Sequence, residues 1–264
     1  MPEGHTIHRI ARDHSKLLGG YIVRVSSPQG RFAADAARID GAVLESIEPY
    51  GKHLFYRWST GDVGHIHLGL FGKYKIHRGD PPIPTEATRM RLRQGDITID
   101  LAGPTICNLG TSDDRDAVVK RLGPDPLRRD ADPLRALDTI AKSSKPIGAL
   151  LLDQAVVAGI GNVYRSEILF QHGIHPERPG KSCSPEEIHG LWNTATTMLK
   201  AGVKANRIVT VTRDDIGWPR NKLIPRSEAT YVYKRAMCVR CGDRIRAIEV
   251  GSRTCYYCPT DQPR

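Results

Sequence analysis

From about residue 21 to residue 109, apolar residues recur in short alternating or continuous runs, a rhythm that predicts strands rather than helices. The runs fall at 21–25, 43–47, 53–58, 64–68, 74–77, 90–93 and 97–101. Turn-forming clusters such as Ser59-Thr60-Gly61-Asp62 and Gln94-Gly95-Asp96 separate them, so this half reads as a β-sandwich or barrel. A helix precedes it: Ile7, Ile10, Ala11, Leu17 and Leu18 fall near helical spacing, Thr6 stands where a cap is expected, and Gly19-Gly20 supplies the stop. The stretch Leu122-Gly123-Pro124-Asp125-Pro126-Leu127 can continue neither element, and beyond it the period becomes helical. Helices are expected over 146–158, capped by Ser144 and stopped by Gly159, then from Val163. A third follows Ser184-Pro185-Glu186-Glu187, a capping box with proline at the first helical position. The tail predicts two strands, 245–250 and 254–257. The class is therefore α+β with two domains: 1–122, a linker over 123–132, a helical domain over 133–230 and a terminal hairpin over 231–264.

Composition narrows the partners. The 264 residues carry a formal net charge of +10, which points to a polyanion, and nucleic acid is the commonest one for a soluble protein. No apolar run has the length of a membrane span, and His5, His8 and Arg9 interrupt the start, so a cytoplasmic protein with no membrane partner is expected. Cys107 and Cys183 stand alone, whereas four cysteines crowd into the last 27 residues, as a metal site would require.

Several residues carry candidate chemistry. Removal of Met1 is expected because Pro2 is small, and it would leave a secondary amine that adds to an aldehyde-like carbon; Glu3 beside it could manage protons. In Gly159-Ile160-Gly161-Asn162, between two helical patterns, Asn162 is placed to cap the second helix, whose free amides suit a phosphate. The pairs Cys238/Cys241 and Cys255/Cys258 have the spacing of a four-cysteine zinc site, and the turn between the two tail strands presents Arg253 at its tip. Lys52 starts a strand at an exposed turn. His65 and His67 share one strand face, but no third ligand is evident, so they read as packed or surface residues. Leu70 and Phe71, flanked by Gly69 and Gly72, are either a core contact or an exposed wedge able to enter a base stack. The polar stretch 213–226 lacks periodicity and reads as a functional or mobile loop.

Taken in order, these features resemble the formamidopyrimidine-DNA glycosylase and endonuclease VIII family of base-excision repair. The anchors are Met1-Pro2-Glu3-Gly4, Gly51-Lys52, His67-Leu68-Gly69, the stretch from Leu122 to Leu127, Leu151-Leu152-Asp153-Gln154, Gly159-Ile160-Gly161-Asn162-Val163-Tyr164 and the cysteine hairpin with Arg253. Pro-Glu-Gly is more similar to the endonuclease VIII branch than to the Pro-Glu-Leu start of the purine-directed branch. The resemblance implies an N-terminal β-sandwich with a leading helix, joined to a helical domain with a helix-two-turn-helix motif and a zinc-finger hairpin. It also implies a bifunctional enzyme that excises oxidised bases, pyrimidines preferred, through a Schiff base on Pro2, and cleaves the strand by β,δ-elimination. Glu3 and Lys52 would share the catalytic site, with Asn162 and Arg253 on DNA phosphates and Leu70 and Phe71 filling the vacated stack. The implied cofactor is one structural zinc and no redox group. The implied partner is damaged DNA, duplex or single-stranded, bound by a monomer, and nucleoid-associated if the source is bacterial.

Three departures bear on this. The family opening Pro-Glu-x-Pro-Glu becomes Pro2-Glu3-Gly4-His5-Thr6, so Thr6 replaces a second carboxylate, and His5 is the candidate to compensate. The fourth zinc cysteine of the family falls at Asp261, with Cys255 as the alternative ligand beside Cys238, Cys241 and Cys258; the register that keeps Arg253 in place favours Asp261. The composition of 213–226 does not say whether it covers an everted base. The missing carboxylate motivates an alternative, a catalytically weak protein that binds abasic or single-stranded DNA. A zinc-hairpin DNA-binding regulator is the third reading.

Overall fold

The computed structural model describes residues 2–264, and the removal of Met1 concerns a residue outside that range. The chain separates into two compact units: Pro2 and Glu3 with Ile7–Arg121, and Gly4–Thr6 with Leu122–Arg264.

The first unit opens with α1 (Gly4–Leu18), followed by β1 (Ile22–Ser26), α2 (Ala33–Ile39), β2 (Ala42–Tyr50), β3 (His53–Trp58), β4 (Val63–His67), β5 (Lys73–Arg78), β6 (Thr88–Gln94), β7 (Ile97–Ala102), β8 (Ile106–Gly110) and α3 (Ser112–Lys120). The strands are antiparallel neighbours in the order β5-β7-β6-β1-β2-β3-β4-β8. β1 joins the halves, pairing with β6 from Arg24 to Ser26 but with β2 only through Ile22 and Val23. Inward residues of both halves, among them Val25, Leu92, Leu54 and Ile66, meet in one buried cluster with Ile7, Ala11 and Leu18 of α1. This is the expected two-layered sheet domain with a leading helix, extended by β8, α2 and α3. Alternation cannot detect α3, because that helix buries none of its residues. Thr6 is not the cap. The helix starts three residues earlier, with Glu3 at the cap position, since the Gly159 carbonyl accepts the Gly4 amide at 2.8 Å and so satisfies one of its first-turn donors.

The second unit contains α4 (Pro133–Ala141), α5 (Ile147–Leu152), α6 (Asn162–Gln171), α7 (Pro185–Ala205) and the hairpin β9 (Arg246–Glu249) with β10 (Thr254–Tyr257). The capping box forms as expected: Ser184 Oγ accepts the Glu187 amide at 3.2 Å and Glu187 Oε2 accepts the Ser184 amide at 2.7 Å. α5 is shorter than its periodicity suggests, and Pro146 rather than Ser144 precedes it. The reason is polar. Asp153 Oδ1 accepts the Ala155 amide at 2.9 Å, and Gln154 both accepts the Gly159 amide at 3.0 Å and donates to the Ile160 carbonyl at 2.9 Å, so 153–161 becomes two tight turns. Ile147, Leu151, Ile160, Ile168, Leu191 and Leu199 form the core of this helix-two-turn-helix. Among the described residues no helix is long and apolar enough to cross a membrane.

Buried histidines tie the sheet domain to pH. His14 Nδ1 lies 2.7 Å from the Tyr56 hydroxyl, which donates to Tyr74 Oη at 3.1 Å, and burial depresses the His14 pKa from 6.5 to about 4. Between pH 6.5 and 4 the unfolded chain therefore binds a proton that the folded one refuses, so stability is full above pH 6.5 and falls on acidification. For His14 the loss amounts to about 3 kcal/mol by pH 4. Thermal melts across this range should show a falling Tm for the wild type. A His14→Gln variant should be less stable at pH 7 but show a flatter acid dependence.

Candidate functional site

In the sheet domain the head of α1 presents Pro2, half-buried, with Glu3 at 0% exposure behind it in extended conformation. The Glu3 side chain makes no cap bond to the helix. Pairing of β2 with β3 runs to Tyr50↔His53 and leaves Gly51-Lys52 as a two-residue turn, so Lys52 is held at a fixed strand end. The same register assembles a histidine cluster that spacing along one strand did not reveal. His53 stands opposite His67, its Nδ1 lies 2.8 Å from His65 Nε2, and the rings of His53 and His67 are 4.8 Å apart. Burial, then the neighbouring imidazoles and the Arg121 and Lys52 cations, lowers His53 to about 3; burial likewise lowers His65 to about 4. The cluster is thus neutral at pH 7, and cations face it. His67 Nδ1 accepts the Gly69 amide at 3.2 Å, which puts its proton on Nε2, directed away from that turn.

The turn after His67 is exposed and not a core contact. Leu70 is 47% and Phe71 83% exposed. Its two glycines are required by space: a Cβ on Gly69, where φ is +63°, would lie 1.9 Å from Thr105 Oγ1, and one on Gly72 would lie 2.3 Å from the Leu68 carbonyl oxygen. Gly72 closes the turn by donating to that carbonyl at 2.9 Å.

In the helical unit Asn162 is the first residue of α6, with Gly161 at the cap position. Its side chain does not cap the helix because the hairpin takes it. Nδ2 donates to the Thr254 carbonyl at 2.8 Å, while Oδ1 accepts from Arg165, one turn along α6. Arg165, at 0% exposure, also donates to the carbonyls of Val250 at 2.6 Å, Gly148 at 3.2 Å and Arg253 at 3.2 Å. The backbone at the hairpin tip is therefore fixed from below while the Arg253 side chain stays exposed. Two residues further, the fully buried Glu167 accepts the amides of Tyr231 at 2.7 Å, Val232 at 3.0 Å and Tyr233 at 2.9 Å, together with the Thr210 hydroxyl. Burial pushes its carboxyl up, and those bonds act in the opposite sense. Sequence reasoning missed both residues, because a charged residue in a helix ordinarily signals solvent. The 213–226 loop is internally tied: the Trp218 amide donates to the Arg213 carbonyl at 2.8 Å, and Arg213 Nη1 donates to the Lys222 carbonyl at 2.7 Å.

Cys238, Cys241, Cys258 and Asp261 bring one ligand atom each within 4.8 Å of the others. Cys238 Sγ lies 3.0 Å from Asp261 Oδ2, and the sulfurs of Cys241 and Cys258 are 3.4 Å apart. Three thiols and one carboxylate at this spacing fit a tetrahedral divalent ion. Cys255 is excluded from the set. It lies in β10, alternating away from the cluster, and its sulfur packs 3.7 Å from Ser166 Oγ of α6.

Residues 1–102 match the model of the formamidopyrimidine-DNA glycosylase N-terminal domain, and residues 122–214 match that of the formamidopyrimidine-DNA glycosylase H2TH domain. Endonuclease 8 1 of Mycobacterium tuberculosis is 44% identical over 269 aligned positions, spanning 99% of this chain and 100% of that protein. A formamidopyrimidine-DNA glycosylase of Bacillus cereus is 30% identical over 283 positions, with both chains covered completely. Among solved structures, a Lactococcus lactis Fpg complexed with abasic-site DNA shares the fold at a TM-score of 0.82 and 23% identity, covering 99% of this chain and 100% of that one.

The ligand geometry gives a clear expectation for metal content. By elemental analysis after dialysis, Asp261→Ala should lose the bound metal, whereas Cys255→Ser should retain a full equivalent.

Proposed function

We propose that this chain, which belongs to the formamidopyrimidine-DNA glycosylase and endonuclease VIII family, is a DNA glycosylase and abasic-site lyase that removes oxidised bases, pyrimidines in preference, from damaged DNA. The observation that carries this reading is Pro2 at the head of α1 with Glu3 buried directly behind it. With Met1 removed, the Pro2 nitrogen attacks C1′, the glycosidic bond breaks, and the base leaves with the electron pair and acquires a proton. Glu3 protonates O4′ as the sugar opens, while the nitrogen lone pair forms the iminium. That cation acidifies the C2′ hydrogen. Its loss expels the 3′ phosphate, and loss of a C4′ proton then expels the 5′ phosphate. Every step is redox-neutral.

The remaining residues position the strand. Lys52, Asn162 and Arg253 hold phosphates around the everted nucleotide, and Leu70 with Phe71 occupies the gap it leaves. Cys238, Cys241, Cys258 and Asp261 hold a structural zinc that fixes the fold of the hairpin carrying Arg253. The domains follow the division 1–122, 123–132, 133–230 and 231–264. Thr6 in place of a second carboxylate favours one competing reading, a weakly catalytic protein that binds abasic or single-stranded DNA.

Borohydride trapping separates the two. Untagged protein should form a covalent adduct with DNA holding one abasic site and with DNA holding one oxidised pyrimidine. Folded, metal-loaded protein that traps neither substrate would establish the binding reading instead. Pro2→Ala should lower strand cleavage at abasic sites by at least about a thousandfold. Phe71→Ala should weaken binding to an abasic duplex by about 1 to 3 kcal/mol, measured by fluorescence anisotropy.

A further inference from the structure

We infer that Gly4 and His5 are positioning residues for the Pro2 nucleophile, an inference that rests on the lyase reading above. Although α1 belongs to the sheet domain from Ile7 onwards, its first turn, Gly4–Thr6, clusters with the helical unit. Two contacts seat it there. Gly4 donates its amide to the Gly159 carbonyl at 2.8 Å, and the two backbones approach so closely that a Cβ on Gly4 would lie 2.9 Å from Gly159 Cα and 3.1 Å from its oxygen. No flexible side chain stands in that gap to give way. The His5 ring, 5% exposed, packs edge-on against Tyr164 of α6 at 5.3 Å. It also fills the space over Gly202 of α7, where a Cβ would meet the ring at 2.9 Å.

Gly159 lies three residues before Asn162 and is held by Gln154, so the turn that receives Gly4 is the turn that places a proposed phosphate ligand. Only Glu3, buried and extended, separates Gly4 from Pro2, which leaves little slack to absorb a displacement. The proposed nucleophile therefore lies two residues from a backbone-to-backbone contact that only glycine permits. The His5 Nε2 lies 3.2 Å from Thr6 Oγ1, its Nδ1 is buried without a hydrogen-bond partner, and burial lowers its pKa to about 4. Its packing against Tyr164 and over Gly202 anchors the turn.

The test uses full-length, untagged wild type, Gly4→Ala and His5→Ala. Single-turnover cleavage of an abasic duplex is compared with the Kd for a duplex holding the uncleavable tetrahydrofuran analogue, at a temperature where circular dichroism shows each variant folded. Gly4→Ala should lose about a hundredfold in rate, the cost of a misplacement near 1 Å, with Kd changed less than threefold. His5→Ala should lose rate in the same sense, again with Kd preserved. Wild-type rate in folded Gly4→Ala, or rate and affinity falling in equal proportion, would overturn the inference. If Gly4→Ala does not fold, wild-type rate in folded His5→Ala overturns it. A wild type that binds the analogue but never cleaves would defeat the lyase reading itself and this inference with it.

Discussion

A guanidinium removed from water must find acceptors inside the protein, and Arg165 finds them in the carbonyls of Gly148, Val250, Arg253 and Thr254 and in the side chain of Asn162. These acceptors come from segments far apart in the chain. The bonds can form together only when α5, the start of α6 and the tip of the terminal hairpin are in place, so one buried cation fixes the relation between two proposed phosphate ligands. Glu167, two residues further along α6, does the same for the strap that leads into the hairpin, through the amides of Tyr231 to Tyr233. Helix α6 is thus a template with one charge of each sign. Removing either partner would leave the other groups buried and unsatisfied, an asymmetry that makes such networks costly to disturb.

The ligand cluster enters the same scheme from the opposite end. Cys258 follows β10 directly, and Gln262 beyond it accepts the Cys258 amide at 3.0 Å while donating to the Ile174 carbonyl at 2.8 Å. The hairpin is therefore gripped at its base by Gln262 beside the Cys238, Cys241, Cys258 and Asp261 cluster, and at its tip by Arg165. Its exposed arginine sits on a backbone with little freedom, as a phosphate contact requires if binding is not to spend affinity on ordering the loop.

Much of this was legible in the sequence. Strands with one buried face alternate, so seven of the eight in the sheet could be read from 21–101. The cysteine spacing led to Cys238, Cys241 and Cys258, and register with Arg253 favoured Asp261, which the geometry places in the cluster. Apart from α3, what escaped depends on which residues meet across the fold. α3 has no apolar face to mark it, and His53 joins His65 and His67 only through strand pairing. Arg165 looks like any helical surface charge until the hairpin is laid over it. Asn162 has the composition of a cap, but a distant carbonyl competes for its side chain and wins.

The turn from Gly69 to Gly72 separates frame from cargo. Gly72 is pinned by the Leu68 carbonyl and Gly69 holds a φ of +63°, so a side chain is strained at either end, yet Leu70 and Phe71 between them are exposed. Mutations at the flanks would be purged for stability, whereas mutations between them would be judged almost wholly on performance. The loop is thereby an evolvable cassette: the tip can be exchanged for other shapes in a single step without renegotiating the sheet that carries it.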